Sequence, residues 1–99
     1  MNKRTKALAI SKAVREAVEE RDGGLCIICH RVGDPCAHYI GRAHGGLGIE
    51  ENIVTLCQGC HRLYDQSIHR GYLQEAIREY LRGKYENWDD VRLTYRKET

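Results

Sequence analysis

Phenylalanine is absent from this 99-residue chain, and tryptophan, methionine and proline occur once each. A domain so small and so poor in large hydrophobes has a marginal core unless something staples it. Long apolar runs are missing too. No stretch approaches the ~20 apolar residues of a bilayer span, so a membrane-embedded role is not expected. The first six residues are basic, but only Ala7 to Ile10 follow as an apolar run, which is too short for a secretory signal. Ten glycines fall in no collagen-like period, and no internal repeat is visible. Charged residues make up 30%, but apolar positions recur periodically among them, which argues against a disordered chain. The length suits one domain.

Charge is weak in sum and uneven in placement. The net charge is +2. Residues 1–21 carry six basic and three acidic side chains, residues 22–65 three and five, and residues 66–99 seven and six. The middle segment also holds all five cysteines, four of the five histidines and the proline. An acidic centre rich in Cys and His suits cations, and basic flanks suit a polyanion.

Cys26 and Cys29 form one C-x-x-C pair, Cys57 and Cys60 another, and Cys36 is left over. Two residues between thiols let a tight turn aim both sulfurs at one point. Two such knuckles supply the four ligands of a tetrahedral zinc ion. The competing readings are a disulfide framework, which wants an export signal, and a redox pair, which wants a βαβ pattern. Neither accompaniment is seen, so a structural zinc is expected. Cys36 reads as a small buried hydrophobe. On this reading the chain needs no large core around residues 26–60, and the apolar positions lie mainly on flanking helices.

Periodicity predicts one helix over residues 5–20, with Ala7, Ile10, Val14, Ala17 and Val18 on one face. Asp22-Gly23-Gly24 ends it. Gly33-Asp34-Pro35 reads as a turn, Cys36–Ile40 as a strand, Gly41–Gly48 as a loop and Asn52–Leu56 as a second strand. Residues 58–66 read as a helix, with His61 and Asp65 four apart on one face. Gly71 is expected to interrupt the helical pattern, residues 72–82 to form another helix ended by Gly83, and Asn87 to cap a last helical turn.

The stretch Cys26-x-x-Cys29, Ala37-His38-Tyr39-Ile40, Gly45-Gly46, Glu51-Asn52-Ile53-Val54-x-Leu56-Cys57-x-x-Cys60-His61 resembles the HNH endonuclease family, and most nearly its small bacteriophage and prophage members. The matching stretch covers residues 20–65. The resemblance implies an α+β fold with a zinc-stapled ββα-metal (His-Me finger) core at residues 22–66. An N-terminal helix at about 5–20 and a helical part at about 72–93 would flank it within a single domain 1–99. It also implies a cytoplasmic protein of a bacterial host cell acting on DNA with weak sequence specificity. Phage DNA processing or packaging proteins and a second copy of the chain are the partners it suggests.

Phosphodiester hydrolysis needs an activated water, charge stabilisation on the phosphoryl oxygens and help for the leaving oxygen. A histidine can take the proton at neutral pH. In the family the first histidine is this base, which falls on His38. The asparagine holds the inter-strand loop, which falls on Asn52. The last histidine is a metal ligand, which falls on His61. Some members add a second helical ligand four residues on, here Asp65, and a carboxylate suits Mg²⁺ or Mn²⁺. Arg42 and His44 are candidates for DNA contact, each equally readable as an exposed loop residue. The chain departs from the family at Ala37, where many members carry Asp or His as a ligand. The catalytic ion is then left to His61, Asp65, water and substrate phosphate, or to His44. That departure makes a non-catalytic zinc-dependent nucleic-acid-binding module the alternative. Lys3, Arg4, Lys6, Lys12 and Arg15 read as a solvated helix face or as a track for the DNA backbone, and Trp88 and the tyrosines as core.

Overall fold

A computed structural model describes residues 2–66 and 68–96. Helix α1 (Lys3–Leu8) is capped by the Asn2 side chain, which accepts from the Thr5 amide, and α2 (Lys12–Asp22) by Ser11, which accepts from the Val14 amide. The single helix expected over 5–20 is therefore two. Ala9 is extended, and Ser11 offers an N-cap that competes with continued helix. The break lets Leu8 bury while Val18 buries from α2. Helix α2 ends in a left-handed cap at Gly23, with φ at 69°.

Strand β1 (Asp34–His38) pairs antiparallel with β2 (Ile53–Leu56), with Ala37 opposite Val54 and His38 opposite Ile53. The first strand starts two residues earlier than the sequence suggests and stops at His38. Pro35 falls where the register shifts between Asp34 and Ala37, and a proline without an amide hydrogen is tolerated at such an irregularity. Beyond His38, Asn52 takes over the pairing. Its carbonyl accepts from the Tyr39 amide at 2.7 Å, and its side chain binds Ile40. Asn52 itself closes a 3-10 turn (Glu50–Asn52) rather than opening the strand.

Helix α3 (Gln58–Gln66) has the bounds expected. Helix α4 (Arg70–Lys84) runs through both Gly71 and Gly83, which neither interrupt nor end it. Both glycines are exposed, where each costs about 1 kcal/mol relative to alanine. The buried stripe of Leu73, Ile77 and Leu81 outweighs that. The last turn is a 3-10 segment (Asp90–Leu93) capped by Asp89, not Asn87. Asn87 instead adopts a left-handed φ of 57°, which asparagine tolerates better than most residues.

The core joins both strands to the helices. Ala37, Tyr39, Val54 and Leu56 pack with Tyr64 of α3, with Leu73, Ile77 and Leu81 of α4, and with Leu93. This corrects the expectation that the apolar positions lie mainly on the flanking helices, because all four residues of β2 are buried and Ala37 of β1 is buried with them. Tyr39 packs against Trp88 with ring centroids 5.7 Å apart. A buried polar network ties α2 to the rest. Arg21 donates to the carbonyls of Glu50 and Ile53, to the Tyr85 hydroxyl and to Asp22. Asp22 accepts in turn from the Thr55 amide and the Tyr80 hydroxyl. Among the described residues, no helix is long and apolar enough to cross a membrane.

Candidate metal cluster and histidine cleft

The two knuckles converge. The Sγ atoms of Cys26, Cys29, Cys57 and Cys60 all lie within 4.8 Å of one another, and none is in a disulfide. Zn–S bonds of about 2.3 Å place tetrahedral sulfurs roughly 3.8 Å apart, so this spacing and donor set fit a zinc ion. The first knuckle is a tight hairpin closed by the Cys26 amide on the Arg31 carbonyl at 2.6 Å, with His30 left-handed at φ 67°. The second knuckle is the first turn of α3, where the Cys60 amide donates to the Cys57 sulfur at 3.4 Å. Burial opposes the Cys26 thiolate, but amide hydrogen bonds from Cys29, Cys57 and Ile28 outweigh it and bring the thiol down to about 7. Burial and the neighbouring sulfurs push Cys60 up. Cys36 stands outside the cluster.

His61 follows Cys60 directly, so an ion in the cluster would also fix the start of the helix that carries His61. One turn on, Asp65 stands 3.6 Å from the His61 Nε2. Both line a cleft of about 470 Å³ together with His38 and Arg42. Four of the residues singled out from sequence thus share one cavity, contributed by β1, the inter-strand loop and α3. Ala9 and Ile10, at the α1–α2 break, form another part of its lining. His44 does not line this cleft. It is exposed, and its amide closes a 3-10 turn (Arg42–His44) onto Gly41. Ala37 is 1% exposed and faces the core, so it offers nothing to the cleft.

His38 is half-buried, and its Nε2 lies 3.0 Å from the Leu8 carbonyl. A carbonyl only accepts, so Nε2 carries the proton and Nδ1 is left with its lone pair. Burial pulls the His38 pKa below the usual histidine value against the opposing Leu8 carbonyl, and the charges of Arg42 and His61 lower it further. The ring is therefore neutral at neutral pH.

Asn52 is fully buried. Its Oδ1 accepts from the Ile40 amide at 2.9 Å, and its Nδ2 donates to the carbonyls of Ile40 at 3.1 Å and Leu47 at 2.8 Å. One side chain thus closes the loop that follows His38. Gly46 lets the loop pack this closely, since a Cβ there would sit 1.6 Å from the Ile40 carbonyl oxygen.

Sequence reasoning missed the carbonyl that holds His38 and two polar residues of the cleft. The Leu8 carbonyl is a backbone group and carries no residue-type signal. Arg70 and Tyr64 reach the cleft only through the packing of α3 and α4. Cys36 also lines it, and its place two residues before His38 on a strand was a usable signal. Compared with known proteins, the chain matches no protein-family model and no curated protein.

Proposed function

We propose that this protein is a metal-dependent DNA endonuclease of HNH type, with β1, the inter-strand loop, β2 and α3 acting as a zinc-stapled ββα-metal core. The observation that carries the reading is the shared cleft, where a neutral His38 with a free Nδ1 meets the His61–Asp65 pair. His38 Nδ1 takes a proton from water, and the water oxygen forms a new bond to phosphorus as the bond to the leaving deoxyribose oxygen breaks. The leaving oxygen takes its proton from solvent. Arg42 faces the developing charge on the phosphoryl oxygens. Asn52 positions the loop that carries Arg42 and the end of β1. His61 and Asp65 would hold a divalent cation such as Mg²⁺ or Mn²⁺, which when bound supplies charge stabilisation to the phosphoryl and leaving oxygens.

A second reading, a non-catalytic nucleic-acid-binding module, is favoured by one observation. Among the described residues no third His, Cys, Asp or Glu gathers with His61 and Asp65 into a metal-ligand group. Supercoiled plasmid incubated with the pure protein and Mg²⁺ or Mn²⁺ separates the two. The endonuclease gives nicked or linear product, and His38→Ala abolishes it. A wild-type protein that shifts DNA on a gel but never cuts it, across metals and pH, is the binding module. The resemblance to phage members adds a role in phage DNA processing, with a second copy of the chain needed to cut both strands.

A further inference from the structure

Arg70 was not among the residues the sequence suggested. It is the first residue of α4 and lines the cleft beside His38, Arg42, His61 and Asp65. Its guanidinium is held in place. Nη1 donates to the Tyr64 carbonyl at 2.8 Å, and the group lies over the Tyr64 ring at 4.3 Å from its centroid. The Tyr64 ring is fixed in turn, because its hydroxyl donates to the Tyr39 carbonyl. A guanidinium has five N–H donors, and the Tyr64 carbonyl uses one. Among the described residues no carboxylate lies within ion-pair distance of Arg70, or of Arg42. Other arginines do pair, Arg21 with Asp22 and Arg78 with Asp90. Two guanidiniums with no ion pair among the described residues therefore line one cavity, which Asp65 shares.

We infer that Arg70 is a phosphate-binding residue of this cleft and grips the DNA backbone beside the phosphodiester at His38. The inference rests on the nuclease or DNA-binding reading of the same site. A fork held by stacking loses little freedom on binding, and its remaining donors match phosphate geometry. The competing role for Arg70 is purely structural, as a cap on the last turn of α3 through the Tyr64 carbonyl.

Binding of a fluorescent duplex to the zinc-loaded protein, measured by anisotropy across a salt series without added divalent metal, distinguishes the two. Each phosphate contact contributes about 0.9 to the slope of log affinity against log salt. Arg70→Gln keeps an amide donor for the Tyr64 carbonyl but removes the charge. It is expected to lower the slope by about one unit and the affinity by about tenfold, while Arg70→Lys keeps the wild-type slope. Unchanged slope and affinity in a folded Arg70→Gln, with wild-type binding intact, would overturn this assignment and leave the nuclease reading standing. A fall in slope in Arg70→Lys as large as in Arg70→Gln would also overturn it. No wild-type binding at low salt would overturn both.

Discussion

The imidazole of His38 has one nitrogen committed to a backbone carbonyl and one free, and that asymmetry leaves a lone pair able to accept a proton. Burial disfavours the imidazolium, so the neutral, proton-accepting form persists to lower pH than for an ordinary histidine. On the nuclease reading, the acid limb of kcat/KM for plasmid nicking has its apparent pKa below 6.5. An acid limb at 7 or above would contradict His38 as the base. Asp22 shows the opposite sign. Burial opposes its charge, but the hydrogen bonds from Arg21 and Tyr80 outweigh it and hold the carboxyl below the usual aspartate range. The stability this contributes is present above the unfolded value of 3.8 and is lost as pH falls through the lower folded value. Asp22→Asn leaves the Arg21 charge buried without its partner, and urea unfolding is expected to show a loss of about 3–5 kcal/mol. A change under 1 kcal/mol would mean that the network is not a staple.

At the level of elements, the break between α1 and α2 matters most. A continuous helix over residues 5–20 satisfies the hydrophobic period, yet two caps and an extended Ala9 win locally. The consequence reaches the cleft, because the turned chain brings the Leu8 carbonyl to His38 and places Ala9 and Ile10 in the cleft lining. Ser11→Ala is expected to cost about 1 kcal/mol in thermal or urea unfolding. The inter-strand loop is more demanding. Gly46→Ala drives a methyl group into the Ile40 carbonyl and crowds the Asn52 amide. A loss of about 2–3 kcal/mol is expected, and on the nuclease reading nicking falls as well, because the loop after His38 must open. A variant as stable as wild type would show that the loop tolerates rearrangement. The sequence was legible where an element carries its own signal. Helix α3 follows a knuckle and shows a clear period, and its bounds were readable. Helix α4 runs past Gly71 and Gly83, against local propensity, because that propensity says nothing of the stripe buried beneath. The end of β1 at His38 is not legible locally, because Asn52, twelve residues beyond Ile40, takes over the bonding there.

For the whole molecule, the four-cysteine cluster joins the hairpin before β1 to the first turn of α3, and so spans the ends of the sheet. Elemental analysis is expected to find close to one zinc per chain. Chelation is expected to lower Tm by at least roughly 10 °C, since a few kcal/mol moves a domain of this size that far. A protein without zinc, or one whose melting ignores chelation, would remove the staple from the account. The sequence by itself determined the donor set. Cysteine spacing fixes a knuckle through a few backbone angles, and His61 and Asp65 share a helical face because the period is local. Tertiary structure alone decided what meets those groups. The carbonyl on His38, the guanidinium of Arg70, the core face of Ala37 and the exposure of His44 all depend on how distant segments pack. Packing depends on shape and burial summed over many residues, and no single position records it.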